Sequence, residues 1–101
     1  MISEKYLEAI NQSAFSMLDK LRVIFNDGSE KDLKISHYEV KADYFKVLGY
    51  LQDDMVGDIR EVQALLKDGG VGISKAYSLK KTRAHGTMVM MKVRIREEEV
   101  L

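Results

Sequence analysis

The sequence predicts one α+β domain over residues 1–101, with helices packed on one face of a small antiparallel sheet. Three features lead to it: an apolar stripe at helical spacing opens the chain, a second runs from 40 to 66, and a strictly alternating segment closes it. A chain of 101 residues, 46% of them apolar, can fill one core and is too short for two. Its normal apolar share and balanced charge set it apart from disordered chains.

From Ser3, the apolar residues Leu7, Ile10, Ala14, Met17 and Leu21 fall three and four apart, which is one face of a helix. Ser3 is placed to cap it, and Glu4 and Glu8 suit its positive end. At Leu21 the pattern changes. Val23, Ile24 and Phe25 favour a strand, and Asn26-Asp27-Gly28-Ser29 is a turn signal, so a short β-hairpin is expected with strands near 21–26 and 31–35.

Ser36-His37-Tyr38-Glu39 has the S-x-x-E form of a capping box and predicts a helix over 36–51 carrying Val40, Tyr44, Val47, Leu48 and Leu51. The stripe resumes at Met55, Ile59, Val62 and Leu66. Two helices with a break near Asp53-Asp54 are preferred to one long helix, because Gly49 and Gly57 weaken the interior. Gly69-Gly70 then ends the second helix, 54–67.

Val89, Met91, Val93 and Ile95 alternate with Met90, Lys92, Arg94 and Arg96, the pattern of a half-buried strand. Before it, Val71, Ile73, Tyr77 and Leu79 read as a partner strand, although 74–85 also reads as a short helix capped by Gly86. The strand is preferred because it would satisfy the last strand's backbone locally. The order helix, strand, helix, helix, strand, basic turn, strand is also that of winged-helix DNA-binding domains, an alternative at the level of fold analogy. Against it, the recognition helix would be 54–67, with an acidic start and Arg60 as its one arginine.

The functional signal is charge. The formal net charge is zero, yet Val71 to Arg96 carries Lys75, Lys80, Lys81, Arg83, Lys92, Arg94 and Arg96 and no carboxylate, so all 16 Asp and Glu lie outside it. Clustered cations meet phosphates, and counterion release adds affinity. The expected function is therefore nucleic-acid binding (DNA or RNA) by a small regulatory protein, through Lys75, Lys80, Lys81, Arg83, His85, Lys92, Arg94 and Arg96, with Tyr77 available to stack on a base. The alternative is an interaction or inhibitor module that holds an acidic protein on the same surface.

Other constellations are weaker. His85 beside Lys80, Lys81 and Arg83 is the most that can be said for a ribonuclease-like centre, and no enzyme is expected. Asp53, Asp54 and Asp58 suit a helix N-terminus better than a divalent metal. No cofactor motif is present, and the absence of Cys removes thiolate sites and disulfides. With no signal-like start and no apolar run of spanning length, the expectation is a cytoplasmic protein without a membrane partner. Tyr38, Phe45 and Tyr50 lie off their helical stripe, and Met88 and Met90 fall on a polar strand face. Together they predict a homodimer interface.

Overall fold

The computed structural model describes residues 3–52, 56–81 and 86–95, and of Lys81 the main chain alone. One helix, α1 (Glu4–Ser16), leads into six strands: β1 (Leu18–Phe25), β2 (Glu30–Val40), β3 (Phe45–Leu51), β4 (Gly57–Leu66), β5 (Val71–Lys81) and β6 (Thr87–Val93). The strands form one antiparallel sheet in the order β5-β4-β1-β2-β3-β6. The sheet curls into a near-barrel. The α+β expectation, with two central helices and a winged-helix alternative, is thereby overturned, for 36–51 and 54–67 are strands.

The physical reason lies in which spacing the buried residues keep. Phe45, Val47 and Leu51 are buried with Gly49 at strand spacing, and the helical reading shared Val47 and Leu51 while leaving Phe45 off its stripe. In β4 a register shift between Ile59 and Glu61 resets the alternation, so Ile59 and Val62 both turn inward. That bulge imitates the three-residue step of a helix. The S-x-x-E box is no cap: Ser36 sits within β2 and its hydroxyl donates to the Leu48 carbonyl at 3.2 Å.

Two hairpins use the same turn chemistry. Gly28 N donates to Phe25 O and Phe25 N to Ser29 O, just as Gly69 N donates to Leu66 O and Leu66 N to Gly70 O. Asp27 and Asp68 each accept from the main-chain N–H two residues on, both at 2.8 Å. Gly28 and Gly69 have φ of 89° and 91°, where a side chain is disfavoured. Gly69 therefore turns a hairpin rather than closing a helix.

The Ser3-capped helix does form, with Ser3 Oγ accepting from Tyr6 N at 3.2 Å. It stops at Ser16, and Leu18 and Leu21 go to β1 and the core. Phe15 stacks on Tyr38 at 4.4 Å between ring centroids and meets the Phe45 ring edge-on at 6.4 Å. Buried Asn11 donates through Nδ2 to the carbonyls of Lys41 (3.0 Å) and Ala42 (2.9 Å), pinning the helix to the β2–β3 turn. The core, centred on Leu21, Val23, Phe45, Val47, Leu51, Val62, Val89 and Met91, fills the concave face of the sheet. Among the described residues no helix is long and apolar enough to cross a membrane.

β2 turns the corner of the sheet. Lys34 back to Glu30 pairs with β1, whereas Ile35 to Val40 pairs with β3, with a shift at Ser36 between them. This bend carries β3 and β6 round toward β5. The expected C-terminal pair of strands exists as β5 and β6, but they are the two edges of the sheet and not ladder partners. They stand on either side of an open seam.

Candidate nucleic-acid interface

The seam brings the basic third of the chain together. β5 carries Lys75 and Lys80 on one lip, and β6 with its extension carries Lys92 and Arg94 on the other; the side chain of Lys81 lies outside the described residues. Lys75 pairs with Val62 in the row of β5 that faces the core, yet at the sheet edge it is exposed. Its ammonium donates to the main-chain carbonyl of Lys92 across the seam. Lys92 lies on the outer face opposite Lys46, with Nζ 4.2 Å from the Tyr44 ring centroid. Arg94 is exposed. Lys80 stands opposite Asp58 without forming an ion pair with it. Arg83, His85 and Arg96 lie outside the described residues, as do Asp53 and Asp54.

Counter-charges are spent elsewhere. Among the described residues the ion pairs are Lys20–Asp32 (2.9 Å), Arg22–Asp32 (2.8 Å), Arg22–Glu30 (3.6 Å) and Lys46–Glu39 (3.9 Å), all on β1, β2 and β3. The Arg22 and Lys20 hydrogen bonds hold the Asp32 carboxyl down at about 2. Glu61, the carboxylate of β4 nearest the middle of β5, accepts from Ser74 Oγ and Gln63 Nε2, both at 2.7 Å, and these bonds lower its pKa. The Tyr44 hydroxyl donates to Glu39, which lowers the Glu39 pKa and raises that of Tyr44. None of these carboxylates forms an ion pair with a seam cation, although the Lys92 charge also helps lower the Glu39 pKa.

Beside the β5 lip, a cleft of about 580 Å³ opens where the β4–β5 ladder shifts. Ile59 pairs with Leu79 and Glu61 with Ala76, so Arg60 alone faces both Tyr77 and Ser78. Tyr77 is half-buried against the core and lines this cleft with Asn26, Asp58, Arg60, Ser78 and Lys80. Asn26 is held there by its main-chain N–H, which donates to Asp58 O at 2.8 Å. Asn26 and Arg60 were not among the expected site residues, and Asp58, expected at a helix N-terminus in preference to a metal site, lies instead in β4. Their one legible signal was the Asp-Gly turn beside Asn26. Among the described residues no group of three His, Asp or Glu side chains is placed to hold a metal ion.

The residues expected at a dimer interface are divided. Tyr50 pairs with Met88, and Leu48 with Met90, on the outer face of β3 and β6, which joins Tyr50, Met88 and Met90 in one exposed patch. Phe45 is fully buried, and Tyr38 sits apart under Phe15. Comparison of the chain with protein-family models, curated proteins and solved structures finds no match.

Proposed function

We propose that this protein binds nucleic acid, with the two lips of the β5–β6 seam gripping phosphates. The observation that carries the reading is that, among the described residues, Lys80, Lys92 and Arg94 form no ion pair, while the carboxylates of β2, Glu30, Asp32 and Glu39, are taken by other cations. Cations neutralised within the fold would have little left to offer a polyanion. Here they line a strip along the one side of the near-barrel that the ladder leaves open. Such a partner places the protein in the cytoplasm, as a small regulator rather than an enzyme. The outer-face patch of Leu48, Tyr50, Met88 and Met90 supports a homodimer, which would present two such strips.

The test is retardation of mixed duplex and single-stranded DNA and RNA at low and moderate salt. If three or four cations engage phosphates, log K against log salt should fall with a slope of about −3, since each duplex phosphate contributes about 0.9. Combined Lys80→Glu, Lys92→Glu and Arg94→Glu should abolish the complex, and Lys31→Glu on distant β2 should leave it largely intact. No retardation at low salt would reject the reading. An acidic protein surface would then be the better account of the same charges.

A further inference from the structure

We propose that the end of the near-barrel beside α1 holds one molecule of a medium-chain carboxylic acid, with its hydrocarbon tail inside the sheet and its carboxylate on Lys75 at the seam. This ligand is independent of the nucleic acid: its tail occupies the inside of the sheet, and no nucleic acid enters its test.

A cavity of about 260 Å³ lies where Leu18, Phe45, Leu66, Ile73 and Val93, one each from β1, β3, β4, β5 and β6, converge beside Ala14 of α1. Leu18 and Phe45 belong to the core, and Leu66, Ile73 and Val93 pack against it, so these side chains share the concave side of the sheet. The ladders agree: Val93 pairs with Phe45, Leu66 with Leu18, and Ile73 with buried Ala64. Every residue on the wall is apolar or glycine. Such a space offers water no hydrogen bond and stays dry, which leaves it to an apolar guest, and the mouth of a small barrel is a common place for one. An apolar cavity of about 150 Å³ holds benzene, so at that ratio a cavity of about 260 Å³ takes roughly ten carbons.

The surroundings of the cavity select an acid with an unbranched tail. Ile73 and Val93 lie on the two edge strands, so the cavity reaches the seam that no ladder closes. Lys75 follows Ile73 in the same row of β5, and its ammonium spans the seam to the carbonyl of Lys92, the residue before Val93. Among the described residues Lys75 forms no ion pair, and residues 71–96 contain no carboxylate, so an anion at this rim meets no acidic side chain from either lip. A carboxylate there accepts from Lys75 while the tail enters between Ile73 and Val93. Past Val93, Met17 and Ile95 are exposed and border both the cavity and a shallow groove along α1 with Tyr6 and Ile10. A tail longer than the cavity therefore emerges into that groove, where burial is partial.

The test is isothermal titration calorimetry of the whole chain with butanoate, hexanoate, octanoate, decanoate and dodecanoate, each below its micelle-forming concentration, and with octanol. One molecule should bind per chain, with affinity rising about fourfold per methylene up to decanoate, the gain of burying each one, and more slowly beyond it. Lys75→Gln should weaken octanoate about threefold, as befits a solvent-exposed charge pair, and leave octanol unchanged. Ala14→Phe fills the cavity and should abolish decanoate binding; Val93→Phe, at a half-buried edge position, does the same if the first variant fails to fold. Absence of binding, an affinity indifferent to chain length, or decanoate binding that survives a cavity-filling variant with its fold intact would overturn the proposal. So would a protein on which decanoate has no effect while Ala14→Phe converts a dimer to a monomer, because a second copy then occupies the cavity.

Discussion

Lys75 donates its ammonium to the main-chain carbonyl of Lys92, so a side chain closes the gap that strand pairing leaves between β5 and β6. Both strands are edges, and an inward-pointing lysine on an edge strand hinders another chain from adding to it. Lys75→Val should keep the fold, since an apolar residue suits the inner row beside Ile73 and Tyr77. It should also make association rise with concentration through the unguarded edges. Light scattering over a dilution series checks this, and a variant that stays as dispersed as the parent would remove the guarding role.

Gly57 and Phe25 are locked together. Gly57 has φ of 148°, and a Cβ placed there would stand 2.8 Å from Phe25 Cδ1. Gly57→Ala should therefore combine backbone strain with overpacking of a buried ring, at a cost of about 2–4 kcal/mol. Gly28→Ala is the control: its φ is 89° but nothing lies within 4 Å of the added carbon. It should cost about 1–2 kcal/mol, from backbone conformation alone. Chemical denaturation of the two variants separates strain from collision, and equal losses would mean that the Phe25 contact counts for nothing.

What could be read in the sequence was local chemistry. The Ser3 cap, the Asn26-Asp27-Gly28-Ser29 turn and the alternation at Val89, Met91 and Val93 each depend on neighbours within a few residues, and each was legible. The middle of the chain was not, because Ile59, Val62 and Leu66 keep helical spacing through a bulge that only the pairing with β1 and β5 reveals. One clue was available: Lys67-Asp68-Gly69-Gly70 repeats the Asp-Gly of the first hairpin and marks a second. For the proposed site, the charge asymmetry marked β5 and β6 but could not tell that they are opposite edges of a curled sheet. Lys75 and Lys92 meet because β2 bends at Ser36, 39 and 56 residues earlier in the chain, a bend that no pattern in the charges carries.

Asp32 predicts a pH dependence. Hydrogen bonds from Arg22 and Lys20 hold its carboxyl at about 2, below the roughly 3.9 of an unfolded chain. A group whose pKa is depressed by folding stabilises the fold above its unfolded value, and that contribution is lost as pH falls through the folded value. The parent protein should thus lose a component of stability between about pH 4 and pH 2. Asp32→Asn should flatten that part of the curve. The effect is modest, because the pair is partly exposed and screened by water. Thermal midpoints of both proteins across the acid range measure it, and parallel curves would exclude Asp32 as a contributor.

The outer-face patch gives the last expectation. Leu48 faces Met90 and Tyr50 faces Met88 across the β3–β6 ladder, with Met88 39% and Met90 45% exposed. Thioether side chains adapt to a facing surface, and apolar residues grouped on one sheet face gain when a second face covers them. A two-fold dimer is the closed form of such self-association, since the same patch serves both copies. Met88→Lys with Met90→Lys should therefore give a monomer by light scattering and leave the thermal midpoint close to that of the parent at low concentration, because neither side chain is in the core. The outcome also bears on binding. Loss of the dimer should lower nucleic-acid affinity by removing the second strip of a bivalent ligand, while the salt slope per strip stays as it was. A parent protein that is monomeric across a wide concentration range would cancel the dimer and leave the patch as ordinary surface.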